Sequence, residues 1–221
     1  FEGVVIVCAN FDDPDVIELM NSEIPVVTID YVHHNCTAVT SNNIQGMEDL
    51  VKYIYSQGHR KIAYIHGQEG SSVTRDRLAS FYRTIDELGL EIPDTYVRSA
   101  DYLETKGSAK QTKELLNLED PPTCIIYPDD TSLIGGRNVI IEMGLRIPRD
   151  ISVAGYDGTM ISQLLYPKLT TIRQNTEMIG SEAATRLIGT IEKPRTTLVE
   201  RVVIEGSLVP GQSVGAIQPK G

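Results

Sequence analysis

The sequence predicts an α/β fold of parallel sheet wrapped by helices, and three observations predict it. Short Val- and Ile-rich runs alternate with longer stretches of helical spacing, with hardly a break. Most of the short runs are apolar on both faces, as strands buried between helical layers are. Glycine or proline closes most of the helical stretches, where the chain must turn back to the sheet.

In chain order the strand candidates are residues 3–7, 25–30, 38–41, 61–66, 96–100, 124–128, 151–156, 169–174 and 199–205. Asp13-Pro14 opens a short early helix, with a capping side chain and a proline in the first turn. Ile44, Met47, Leu50, Val51 and Ile54 form one helical face, ended by Gly58. Leu78, Phe81, Tyr82, Ile85 and Leu88 form another, ended by Gly89. Residues 104–116 fit the alternation as a helix, although Gly107 inside it costs about 1 kcal/mol relative to Ala. Two more helices are expected over 130–143, before Gly144, and 177–191, before Pro194. The Gly- and Pro-containing end, 211–221, reads as a flexible, frayed tail.

Composition narrows the function classes. A chain of 221 residues with 41% apolar and 23% charged residues is ordinary for a folded globular protein. It has no apolar run long enough for a membrane span and no opening segment resembling a signal peptide, so the expectation is a soluble cytoplasmic protein without membrane association. The net charge of −10, with no basic stripe, argues against this segment gripping DNA phosphates by itself. Phe1 runs straight into a strand, so the chain is expected to be a fragment of something longer. Cys8, Cys36 and Cys124 are odd in number and lack metal-type spacing, and are expected to be reduced core thiols.

Ligands of open α/β sheets sit at the carboxyl ends of strands, and four such ends here carry polar groups. Asp30 closes one strand, Asp101-Tyr102 follows another, Asp129-Asp130 a third, and Asp157 a fourth. Carboxylates that accept from neighbouring hydroxyls, beside an aromatic face, suit a polyhydroxylated ligand. An Asp at a strand end also caps helices, and Asp130 is read as a cap. His33, His34 and Cys36 put potential ligands side by side, but adjacent residues rarely converge on one ion, so no metal site is expected. His66 is read as a hydrogen-bonded core histidine and His59 as a turn residue. There is no phosphate loop, dinucleotide fingerprint or Gly-x-Ser-x-Gly elbow, so neither a cofactor nor catalysis is expected.

Six phrases, in order, resemble the lactose-repressor (LacI/GalR) family of bacterial transcriptional regulators. Residues 24–30 resemble its "iPvVxiD", and 39–46 its "V-x-x-D-N-x-x-G", with Asn42 where Asp is usual. Residues 58–67 are similar to "GHrrIafigG", 123–135 to "PtAifaxNDxxAlG", 144–157 to "Glr-vPeDisvvGyD", and 169–174 to "LTTixQ". The resemblance implies a periplasmic-binding-protein type I fold: two Rossmann-like lobes joined by three crossovers, with the effector in the cleft. By this likeness the first lobe, incomplete here, takes 1–40 and 175–198, and the second takes 41–174 and 199–210. The family's DNA-binding helix-turn-helix would lie upstream, so operator DNA is a partner only through that segment.

The same likeness supplies roles. Arg77 matches an Arg that forks onto sugar hydroxyls or a carboxylate, and Asp157 the ligand aspartate after Gly-Tyr. Tyr102 stands where an aromatic stacks on the effector, Gln174 matches a hinge glutamine, and Asp30 the strand-end aspartate of the first lobe. Asp129 replaces the usual Asn, which disfavours anionic effectors and favours polyols. Ser80 replaces a family Gly. The implied function is effector sensing for a homodimeric repressor, by population shift between open and closed lobes. A periplasmic sugar-binding protein shares this fold and is the alternative; an enzyme on a Rossmann-like fold is a third reading.

Overall fold

The computed structural model describes residues 2–7, 11–193 and 198–217. The chain forms two compact units, residues 1–43 with 175–206, and residues 44–174 with 207–221.

The first unit holds a four-stranded parallel sheet of β1 (Val4–Ile6), β2 (Val26–Ile29), β3 (Thr37–Ser41) and β9 (Arg201–Ile204), in the order β1-β2-β3-β9. Successive side chains of a strand point to opposite faces. Val27 and Val39 therefore pack with Ile179 and Ala183 of α7 (Thr176–Glu192), while Ile6, Val26 and Cys36 pack with Met20 at the end of α1 (Pro14–Met20). Asp13 caps α1 by accepting from the Asp15 N–H, with Pro14 as its first residue.

The second unit holds a parallel sheet in the order β5-β4-β6-β7, where β4 is Ile62–His66, β5 Val97–Ser99, β6 Cys124–Ile126 and β7 Ser152–Ala154. Alternation along β4 and β6 feeds two cores. Ile62, Tyr64 and Ile126 meet Met47, Leu50, Val51 and Ile54 of α2 (Asn43–Ser56) and Phe81 and Ile85 of α3 (Ser72–Glu87). Ala63, Ile65 and Ile125 meet Leu115 of α4 (Thr105–Leu116) and Leu133 and Ile140 of α5 (Asp130–Glu142) on the other face. Helices α4 and α5 touch where Gly135 lies against the Thr105 carbonyl; a Cβ there would stand 1.9 Å from that oxygen. Only glycine fits so close a backbone approach.

Nine strands stand where periodicity put them. Three features differ from expectation. Residues 199–210 do not belong together to the second lobe: β9 pairs in parallel with β3, from Ala38–Arg201 to Ser41–Ile204, and the chain enters the second unit after Gly206. There, an unpredicted β10 (Ser207–Val209) runs antiparallel to β8 (Thr171–Arg173). Hydropathy reports that a segment is a strand, but not which distant strand it pairs with.

The second difference is α6 (Met160–Leu164), too short to carry a periodic signal. The third is the tail. Residues 211–217 are docked rather than frayed: Ser213 and Val214 are buried, and the Ser213 carbonyl accepts from the Val153 N–H at 2.9 Å. Its hydroxyl donates to the Val153 carbonyl at 2.6 Å, so one small polar residue extends the sheet edge. Residues 218–221 lie outside the described residues. Cys36 and Cys124 are buried free thiols, and Cys8 lies outside the described residues. Among the described residues no helix is long and apolar enough to cross a membrane.

Candidate functional site

The strand order of the second unit creates its site. From β4 the chain goes to the neighbouring β5, then crosses back to lay β6 on the other side of β4. Connections leaving a sheet in opposite directions open a crevice at the carboxyl ends of the strands. The segments after β4, β5, β6 and β7 carry Arg77, Tyr102, Asp129 and Asp157.

Arg77 lies on the buried stripe of α3 with Thr74, Ser80, Phe81, Thr84 and Ile85, and is 3% exposed. A buried guanidinium requires partners. Its Nη1 donates to the Pro128 carbonyl at 2.9 Å, its Nη2 lies 3.6 Å from Asp157 Oδ1, and its centre sits 3.5 Å above the Tyr156 ring. The Tyr156 hydroxyl has room because residue 46 is glycine; a Cβ there would lie 2.2 Å from it. The planar fork is thus held by carbonyl and ring beside the Asp157 carboxylate.

Asp157 is held in an unusual conformation. Its φ is +95, in the left-handed half of backbone space that costs L-residues about 1–2 kcal/mol. Gly158 follows at φ +66, against Arg173 of β8, whose Cα would lie 2.4 Å from an added Cβ. The turn aims Asp157 Oδ1 at Gln174, whose Nε2 donates to it at 2.5 Å, while the Gln174 N–H donates to the Asp157 carbonyl at 3.1 Å. Strain of this kind persists where surrounding structure over-determines it, and it clusters at ligand clamps.

Tyr102 closes another side. Its ring lies on Gly67, where a Cβ would stand 2.1 Å from the ring, and its hydroxyl shares a hydrogen bond with Thr74 Oγ1 at 2.9 Å. The ring centre is 6.0 Å from the Arg77 guanidinium. Burial raises the phenol's pKa, so the hydroxyl remains protonated at neutral pH.

Asp129 sits beside this group with its carboxylate already engaged. It is 1% exposed and is the N-cap of α5: Oδ1 accepts from the Ser132 N–H at 2.7 Å, while Oδ2 accepts from the Ser132 hydroxyl at 2.7 Å and the Leu103 N–H at 2.8 Å. The cap therefore lies one residue before Asp130, where it was expected. Extended backbone at Asp129, with φ −159 and ψ 169, gives it the cap geometry, and Asp130 becomes the first helical residue. Three protein donors thus already occupy the two carboxylate oxygens of Asp129.

Asp30 belongs to the first unit, where its Oδ1 accepts from the Ser41 N–H at 3.0 Å. In the second unit the geometry thus brings together Arg77, Asp157, Gln174 and Tyr102, and adds Tyr156 and Thr74, which sequence reading did not single out. Tyr156 was legible as the middle residue of Gly-Tyr-Asp; Thr74 became legible only once Arg77 fixed the helix face. His66 is a buried histidine 2.7 Å from the Gly67 carbonyl, and His59, directly after the turn at 57–58, is buried between Thr123 and the Gly215 carbonyl.

The arrangement offers a fixed cation, a carboxylate, an amide and a phenol at one sheet end, which suits binding of hydroxyl groups. Among the described residues no group of three or more His, Cys, Asp or Glu is placed to hold a metal ion.

Comparisons with known proteins agree with the fold. A family model described as the periplasmic binding protein-like domain matches residues 51–214. The chain is 29% identical over 199 residues to the probable HTH-type transcriptional repressor ExuR of Bacillus subtilis (strain 168), covering 89% of this chain and 60% of that protein. It is 28% identical over 194 residues to the HTH-type transcriptional repressor PurR of Aliivibrio salmonicida (strain LFI1238), covering 86% and 58%. It spans about 60% of the length of such relatives. Among solved structures, a regulatory protein of the LacI family from Chloroflexus aggregans superposes with a TM-score of 0.83 at 27% identity, over 97% of this chain and 77% of that one. A transcriptional regulator CelR-cellobiose complex superposes with a TM-score of 0.87 at 25% identity, over 96% and 65%.

Proposed function

Because this chain belongs to the periplasmic binding protein-like domain family, we propose that it is the effector-sensing part of a LacI-type transcriptional repressor. It binds a small sugar-like effector without chemical change, and its occupancy alters operator affinity through a DNA-binding segment of the full-length protein. The observation that carries this reading is the buried Arg77 fork, held beside the strained Asp157 turn at the carboxyl ends of the strands. Tyr102 supplies the aromatic side, and Gln174 orients Asp157. Helix-turn-helix repressors among the relatives, and cellobiose on one structural neighbour, support the same reading. The protein acts in the cytoplasm, where operator DNA is, and works as a homodimer. Met160, Leu164 and Tyr166, all more than 70% exposed on and just after α6, supply apolar surface for self-association.

A thermal-shift screen of the chain over a sugar library that includes cellobiose tests the reading. A binding sugar at a hundred times its dissociation constant is expected to add about 2.7 kcal/mol to stability. A library with no stabilising member, or a member that is chemically turned over, overturns it.

A further inference from the structure

Asp130 is fully buried and is absent from every role assigned so far. Its two oxygens reach the two residues that follow Asp157. Oδ2 accepts from the Thr159 N–H at 2.7 Å and from the Thr159 hydroxyl at 3.0 Å. Oδ1 accepts from the Thr171 hydroxyl of β8 at 2.8 Å, and that hydroxyl oxygen in turn accepts from the Gly158 N–H at 3.2 Å. Direction in this chain is forced: the Gly158 N–H can only donate, so the single hydroxyl proton of Thr171 is free to go to Asp130. Gly155 completes the seat, since a Cβ there would lie 2.3 Å from Oδ1.

We propose that Asp130 is a positioning residue for the effector site: its ionised carboxylate holds Gly158 and Thr159, and so fixes the Asp157 turn, and a proton on it releases that hold. The proposal rests on the reading that Asp157 meets the effector.

The physical reason lies in the count of donors. An ionised carboxylate takes all three at once. A protonated one must itself donate, and the Thr159 N–H cannot accept. A proton on Oδ1 would turn the Thr171 hydroxyl into an acceptor of two bonds, leaving its own hydrogen without the partner it has now. Protonation therefore leaves one hydroxyl hydrogen of the seat without its partner and replaces a charged acceptor by a weaker neutral one, which loosens the tie of Gly158 and Thr159 to Asp130.

The proton arrives within reach of neutral pH. Burial pushes the Asp130 carboxyl up to about 6, against the pull of the Thr171 and Thr159 hydrogen bonds and with a push from Asp157. The titratable and charged groups around it are few. The turn presents Asp157, the residue before it on its own helix is Asp129, and α3 sends Arg77 to Asp157; β8 faces it with the Thr171 hydroxyl. A carboxyl raised in the folded state holds more protons than in the unfolded state between its ordinary value and about 6. Its contribution to stability therefore falls as pH rises through that window, while the turn becomes ordered in the same window. Effector affinity and fold stability are thus expected to move in opposite directions with pH.

The test follows the backbone amide signals of Gly158 and Thr159 by NMR in this chain, without ligand, from pH 5 to 7.5. Both are expected to titrate together with a midpoint of about 6. Asp130→Asn should flatten both, and Thr171→Val should uncouple Gly158 while Thr159 still titrates. Amides that stay flat in the unsubstituted chain overturn the proposal, with no variant needed. So does a titration that survives Asp130→Asn, which would belong to another group such as His59. In parallel, a calorimetric titration with cellobiose as probe should bind about threefold or more weakly at pH 5 than at pH 7.5, and equally at both in Asp130→Asn. If cellobiose binds but with no pH dependence, the proposal fails. If it binds at neither pH and no library sugar does, the effector reading fails, while the amide titration still decides whether Asp130 holds the turn.

Discussion

Arg77→Lys is expected to weaken binding of the best sugar from the library by about 100-fold, equivalent to about 2.7 kcal/mol, while leaving the chain folded. The reasoning is geometric. Arg77 presents a planar fork whose Nη1 holds the Pro128 carbonyl and whose Nη2 lies beside Asp157, with the Tyr156 ring 3.5 Å beneath. Lysine keeps the charge but concentrates it on one strongly hydrated nitrogen that neither stacks flat on a ring nor donates in two parallel directions. It can hold the Pro128 carbonyl or face the ligand. Charge alone is thus predicted to be insufficient. Calorimetry of the variant checks this, and an affinity within threefold of the unsubstituted chain would mean that Arg77 serves only the fold.

Asp157 gives the second large effect, in which binding and stability separate. Asp157→Gly and Asp157→Ala should each lose at least about tenfold in sugar affinity, because both remove the carboxylate oriented by Gln174. Between the two, glycine should be the more stable by about 1 kcal/mol. Alanine keeps a Cβ at φ +95, while glycine adopts that angle freely. In a helix interior the order would be the reverse, with alanine the better by about 1 kcal/mol. Urea denaturation of both variants reads the difference directly. Alanine proving the more stable would show that the turn carries no strain.

The contrast between these residues explains what could be read before the structure. Strands such as 62–66 and 124–126 are buried on both faces, so hydropathy alone marked them, and glycines closed the helices around them. Arg77 and Asp157 were reached through family phrases, because a lone arginine on a helix and an aspartate at a strand end are each unremarkable by type. Pairing was hidden. Nothing local in residues 201–204 says that they join Thr37–Ser41, and so the crossover was placed several residues too early. The Asp129-Asp130 pair shows the limit at finer scale. Both residues are competent caps, and only the extended backbone at Asp129 decides which one caps and which one turns inward to Thr159 and Thr171. The tail was misread because its glycines and proline obscure Ser213, whose hydrogen bonds to Val153 are long-range.

Amide chemical-shift mapping during titration with cellobiose, or with whichever library sugar binds more tightly, tests the central claim most directly. The largest changes are expected at Tyr102, Leu103, Asp157, Gly158 and Gln174, on the segments that surround the Arg77 guanidinium. A sugar that binds while these five amides stay still, with changes instead around Arg98 of β5 and Lys110 and Lys113 of α4, would place the ligand elsewhere and contradict the account.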